Sequence, residues 1–107
     1  MLPAKEISAI EASKAIQAGA FLLDVREPFE EKLAHIEGAH LIPLAELPNR
    51  FHELPDDKPI IVHCHFGRRS LVGAGFLKSK GYNAVSMAGG IHTWSKDVDS
   101  NVPTYGK

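Results

Sequence analysis

The sequence predicts an α/β fold, with a parallel sheet covered by helices on both faces. Short, mainly apolar, β-suited runs stand at Phe21–Val25 and Pro59–His63, and they do not alternate as a strand with one wet face would. Segments carrying helix start and stop signals separate them. The chain has 107 residues, 44% hydrophobic and 23% charged. That is room for one folded unit, and too apolar for a disordered chain. No repeat, linker or low-complexity tract divides it, so residues 1–107 are taken as a single domain.

The elements follow in order. Ser8-Ala9-Ile10-Glu11 has the spacing of a capping box and opens a helix through about Ala18, ended by Gly19. Phe21–Val25 is a buried strand. Pro28 suits the first turn of a helix over Phe29–Leu33, with Glu27, Glu30 and Glu31 near its positive end. His35–Ala39 turns the chain into a short strand near His40–Ile42. Leu44–Phe51 is helix-like, and Leu54–Lys58 is a turn. Pro59–His63 is the clearest strand, with Pro only at its start. A helix runs from about Arg69 to Lys80, closed by Gly81. Ala84–Met87 is a strand, Gly89-Gly90 a turn, and Ile91–Lys96 a final short helix.

Composition excludes several function classes. A formal net charge of −1 provides no global attraction to nucleic acid or to an anionic membrane. The apolar runs fall far short of the roughly 18 residues a membrane span needs. Met1–Glu6 has neither a basic start nor an apolar stretch, so no secretory leader is expected. Cys64 is the one cysteine, which excludes an intrachain disulfide and a multi-cysteine zinc site. A lone thiol suits a reducing, cytoplasmic setting. Lys78, Lys80 and Lys96 are read as solvated helix faces.

In such sheets sites form beyond the carboxyl ends of the strands. Two segments compete for that position: Asp24-Val25-Arg26-Glu27, and His63-Cys64-His65-Phe66-Gly67-Arg68-Arg69-Ser70. The second carries the chemistry. A loop between a strand and a helix N-terminus turns its backbone N–H groups inward, where they stabilise a thiolate. Gly67 permits a conformation that a side chain would block, and Arg68 and Arg69 add charge useful to the thiolate and to an anionic substrate. A merely buried cysteine would need neither the glycine nor the arginines. Spacing then separates two chemistries. A phosphatase loop has five residues between its cysteine and arginine, which would put arginine at position 70; that residue is serine, and Arg69 comes one position early. The shorter loop suits a smaller group on the sulfur.

This loop resembles the active-site loop of the rhodanese family, Cys-x-x-Gly-x-Arg followed by Ser or Thr, through Cys64, Gly67, Arg69 and Ser70. Leu23–Pro28, His35–Ala39 with Ile42-Pro43, and Ala88–Ile91 with Trp94 are similar to the family's other signatures. The resemblance covers residues 4–95 and leaves a tail over 96–107. The tail segment 98–105 is similar to the end of rhodanese domains fused behind adenylyltransferases that activate sulfur-carrier proteins.

The resemblance implies a rhodanese-like three-layer fold with a five-stranded parallel sheet. It also implies a sulfurtransferase in which Cys64 is the catalytic residue and carries sulfur as a persulfide. His65, Phe66, Gly67, Arg68, Arg69 and Ser70 are expected to bind substrate. The expected partners are a small anionic donor such as thiosulfate and a thiol, cyanide or protein acceptor. No metal and no organic cofactor is expected. Many members have Arg or Lys directly after the cysteine, where this chain has His65; an uncharged histidine there implies weaker or pH-dependent use of thiosulfate.

The remaining candidates are read more plainly. His35, His40, His52 and His92 lack metal-ligand spacing, and His63 and His65 flank a thiolate that cannot be nucleophile and saturated ligand together. His35 is assigned to a turn. Asp24 and Arg26 are expected to support the cysteine loop as an ion pair. Gly73 and Gly75 are attributed to close helix–sheet packing, and Trp94 to the core. Arg69 is expected to anchor the loop and Arg68 to face its mouth. A dedicated protein-to-protein sulfur donor is the alternative; Ser70 opposes a phosphatase or arsenate reductase, and the intact cysteine opposes a non-catalytic binding module.

Overall fold

The computed structural model describes residues 4–106. The expectation about a leader at Met1–Glu6 therefore falls partly outside the described residues. Within them, no helix is long and apolar enough to cross a membrane. The elements are β1 (Glu6–Ile7), α1 (Ala9–Gln17), β2 (Phe21–Asp24), α2 (Pro28–Leu33), β3 (His40–Leu41), α3 (Leu47–Arg50), β4 (Ile60–His63), α4 (Arg68–Ser79), β5 (Ala84–Met87) and α5 (Gly90–Asp97).

The five strands form one sheet in the order β1-β5-β4-β2-β3, every neighbouring pair parallel. Successive residues of a strand face opposite sides. Leu23, Ile60 and Val62 therefore enter one core with Leu47, Ala74 and Leu77, while Leu22 and Ile61 enter a second with Ala9, Ala12, Met87, Ile91 and Trp94. Both faces are dry, which is why the central strands β2 and β4 read as mainly apolar runs. Each such side chain contributes about 1.5–3 kcal/mol when fully buried. Trp94 is core, and a Cβ on Gly73 would stand 3.4 Å from Val62 Cγ1, so α4 does lie close on the sheet there.

The structure departs from the sequence expectations at several boundaries. β1 has only two residues and carried no strand signal; it exists because β5 offers it a parallel edge, with Ser86 N donating to Lys5 O. The Leu44–Phe51 helix is instead a 3₁₀ turn at Leu44–Glu46, the single α-turn of α3, and a second 3₁₀ turn at Phe51–Glu53. β3 stops at Leu41. α4 starts at Arg68 rather than Arg69, because Gly67 takes the N-cap position with φ +106°.

Candidate active site

β2 and β4 are adjacent, so the two segments that competed in sequence lie side by side at the carboxyl end of the sheet. Cys64 follows β4 directly, and its Sγ receives Gly67 N–H at 3.1 Å and Ser70 N–H at 3.3 Å. The Ser70 hydroxyl lies 3.4 Å from the same sulfur. The loop owes this inward aim to α5. Ile91 N donates to Cys64 O at 2.8 Å and His92 N to His65 O at 3.2 Å, so the loop carbonyls are committed outward and its N–H groups face the sulfur. The positive end of α4 reinforces them.

Two glycines make that docking possible. A Cβ on Gly67 would sit 3.0 Å from Gly89 N, and one on Gly90 would collide with the Cys64 and His65 carbonyl oxygens. Gly90→Ala should therefore push α5 off the loop, at a cost of about 2–4 kcal/mol in stability. Denaturant unfolding of the variant checks it; a wild-type midpoint would refute the docking argument.

A chain of charges holds the loop from the other side. Arg69 makes a bidentate pair with Glu30 of α2 at 2.7 and 2.8 Å. Glu30 Oε1 also accepts from the Tyr105 hydroxyl at 3.1 Å, and that hydroxyl accepts from Arg26 Nη1 at 2.9 Å. Arg26 is wholly buried; it pairs with Asp24 at 2.7 and 2.9 Å and donates to Ala34 O at 2.8 Å. The Arg69 guanidinium, with help from Glu27 N–H and Tyr105, brings the buried Glu30 carboxyl down to about 2. The same pairing raises Arg69. Burial opposes the charge on Arg26, yet Asp24 and Tyr105 keep it above its ordinary value.

Asp24 and Arg26 thus make the expected ion pair, but neither hydrogen-bonds to the cysteine loop directly. Their link to it runs through Tyr105 and Glu30 to Arg69.

Around the sulfur lies a cavity of about 330 Å³ lined by Cys64, His65, Phe66, Arg68 and Arg69. Arg68 and Phe66 are exposed on its rim. His65 is sandwiched between the Phe66 and Tyr105 rings, each centroid 3.9 Å away, and its Nε2 donates to Tyr105 O at 2.6 Å. Burial lowers its pKa, against the Tyr105 carbonyl and Glu30, which act to raise it. His63, fully enclosed at the end of β4, is pushed down to about 4 by burial despite Asp24 Oδ2 at 3.8 Å. A larger cavity of about 520 Å³, between Lys32–Glu37 and the tail residues Asp99–Pro103, contains neither the cysteine nor an arginine. Among the described residues, no three His, Cys, Asp or Glu side chains are grouped to hold a metal ion.

The structure therefore brings Cys64 through Ser70 together around one sulfur. Sequence reasoning missed Glu30 and Tyr105. Glu30 appeared only as one of three acids at a helix start; its position four residues after Arg26 was the available signal. Tyr105 had none beyond being the one aromatic residue of a polar tail.

A single α/β domain with one cysteine cradled by backbone N–H groups at a helix N-terminus, beside an arginine clamped by a buried glutamate, defines a cysteine-loop domain. The chain belongs to the rhodanese-like domain family, whose model matches residues 8–97. It is 41% identical over 98 residues to the thiosulfate sulfurtransferase GlpE of Haemophilus influenzae, covering 89% of this chain and 91% of the relative. Other relatives are much longer. The chain spans 38% of the rhodanese-like/PpiC domain-containing protein 12 of Arabidopsis thaliana, at 34% identity over 96% of this chain. It spans 22% of the probable adenylyltransferase/sulfurtransferase MoeZ of Mycobacterium tuberculosis, at 36% identity over 78% of this chain. Among solved structures, a rhodanese-related protein from Thermoplasma volcanium matches with a TM-score of 0.83 and 36% identity, covering 88% of this chain and 93% of that one.

Proposed function

We propose that the protein is a sulfurtransferase that carries sulfane sulfur on Cys64, with thiosulfate or a similar small anion as donor. The convergence of Gly67 N–H, Ser70 N–H and the Ser70 hydroxyl on Cys64 Sγ, inside a cavity rimmed by Arg68 and Arg69, supports this most directly. The likeness to a thiosulfate sulfurtransferase along most of its length supports the donor class. The Cys64 thiolate attacks the outer sulfur of thiosulfate; that S–S bond breaks, and sulfite leaves with the electron pair. The new terminal sulfur of the persulfide carries the negative charge, which the loop dipoles and arginines stabilise. Cyanide or a thiolate then attacks that sulfur, and the Cys64 thiolate is restored. No metal or organic cofactor takes part, and a lone thiol is best kept reduced in the cytoplasm.

The test is intact-mass measurement after incubation with thiosulfate. The protein should gain one sulfur atom, lost again as thiocyanate on adding cyanide. A protein that gains none from thiosulfate or from a protein persulfide is not a sulfurtransferase.

A protein acceptor is the second reading. It is favoured by the aromatic rim at Phe66, 45% exposed beside the cysteine mouth, and by relatives that pair a sulfurtransferase with an adenylyltransferase. Faster turnover with a sulfur-carrier protein than with cyanide at equal concentration would select it. In either case Arg68 acts on encounter. Arg68→Ala should raise KM for thiosulfate several-fold, leave kcat nearly intact, and flatten the dependence on ionic strength, since salt screens a rim charge over a Debye length of ~10 Å at 0.1 M. Steady-state kinetics across a salt series checks this; an unchanged salt slope removes Arg68 from the role.

A further inference from the structure

A buried pair lies behind the cysteine, and only its Ser70 member enters the scheme above. Ser86 lies on β5, fully buried, and its Oγ is 2.7 Å from Ser70 Oγ, itself fully buried and 3.4 Å from Cys64 Sγ. That contact is the only hydrogen bond Ser86 Oγ makes among the described residues; its backbone N–H is used by Lys5 O.

The protons in this row can run two ways. If Cys64 S–H donates to Ser70 and Ser70 donates to Ser86, the Ser86 proton is buried with no acceptor in the row, an unfavourable arrangement. If Ser86 donates to Ser70 and Ser70 donates to the sulfur, every proton has a partner, and the sulfur is the acceptor at the end of the row. The second order makes Sγ the acceptor, a role that a thiolate fills more strongly than a thiol. Gly67 N–H and Ser70 N–H reach the same sulfur, so in this order three donors converge on it.

We infer that Ser86 is a positioning residue that aims the Ser70 hydroxyl proton at Cys64 Sγ and so holds the sulfur as a thiolate. The consequence for catalysis rests on the sulfurtransferase reading. Charge sits on Sγ before it attacks the donor, and returns to Sγ when the acceptor removes the terminal sulfur and the persulfide S–S bond breaks. The row therefore stabilises the nucleophile of the first half-reaction and the leaving group of the second. Hydrogen bonds in a line polarise one another, which carries the influence of Ser86 through Ser70 without contact with the substrate.

The test is the pH profile of Cys64 alkylation by iodoacetamide, with no sulfur donor present. Ser70→Ala should move its midpoint up by about one pH unit, and Ser86→Ala by about half a unit. The double variant should overlie Ser70→Ala, because Ser86 acts only through that hydroxyl. A Ser86→Ala profile that overlies wild type overturns the relay, as does a double variant displaced by the sum of the two shifts. Ser86→Gly serves the same comparison if the alanine variant does not fold. The profile reads the thiolate alone. An unmoved profile in a protein that still takes up sulfur removes the relay only; a moved profile in one that takes up none removes the sulfurtransferase reading only.

Discussion

Cys64→Ser should give a folded protein that takes up no sulfur from thiosulfate, with turnover at least about a thousandfold below wild type. Cys64 is the only cysteine, and a serine hydroxyl is neither ionised near neutral pH nor soft enough to hold a sulfane sulfur. The substitution should be benign structurally. Cys64 is 1% exposed, but its sulfur already sits among Gly67 N–H, Ser70 N–H and the Ser70 hydroxyl, all of which an oxygen can use. Intact mass after thiosulfate, thiocyanate release with cyanide, and thermal unfolding of the variant check this together. A serine variant that kept substantial turnover would move the chemistry to another group.

Arg69→Ala should lower both kcat and stability, unlike Arg68→Ala. The Arg69 guanidinium pins the first turn of α4, and with it the N–H groups aimed at the sulfur, to Glu30 of α2. Losing that anchor misplaces the dipoles on which the transition state depends, and kcat should fall about 10–100-fold. The stability effect comes from the partner left behind. Glu30 is 5% exposed and would keep only Tyr105 and its own Glu27 N–H to hold its charge. Removing one member of a buried pair costs about 3–5 kcal/mol; with Arg69 partly exposed to water the expectation is about 2 kcal/mol. The loss has a pH signature. Glu30 is held at about 2 when folded, against 4.5 for the free group, so the Arg69 contribution is full above about pH 4.5 and disappears as pH falls toward 2. Denaturant unfolding of wild type and variant should differ most at neutral pH and converge through that window. A constant difference down to pH 2 would mean that the pair contributes nothing to acid stability.

Much of this protein is legible along the chain because its signals are local. The capping box at Ser8–Glu11 forms as read, with Glu11 N donating to Ser8 Oγ at 3.0 Å and Ser8 N to Glu11 Oε1 at 2.9 Å. β2, β4 and β5 follow from apolar runs buried on both sides. The cysteine loop follows from the spacing of Cys64, Gly67, Arg69 and Ser70, because each of its inward N–H groups lies within a few residues of the sulfur. What holds that loop is not local. Arg69 meets Glu30 across 39 residues, Glu30 meets Tyr105 across 75, and Ser70 meets Ser86 across 16. The sequence shows that a buried carboxylate and a buried guanidinium each need a partner, but many residues could supply one. Only the stacking of β2 beside β4, α5 beneath the loop, and the tail laid over His65 select which. β1 is the same case in backbone form: two residues with no strand signal become a strand because β5 presents them an edge whose hydrogen bonds would otherwise go unmade.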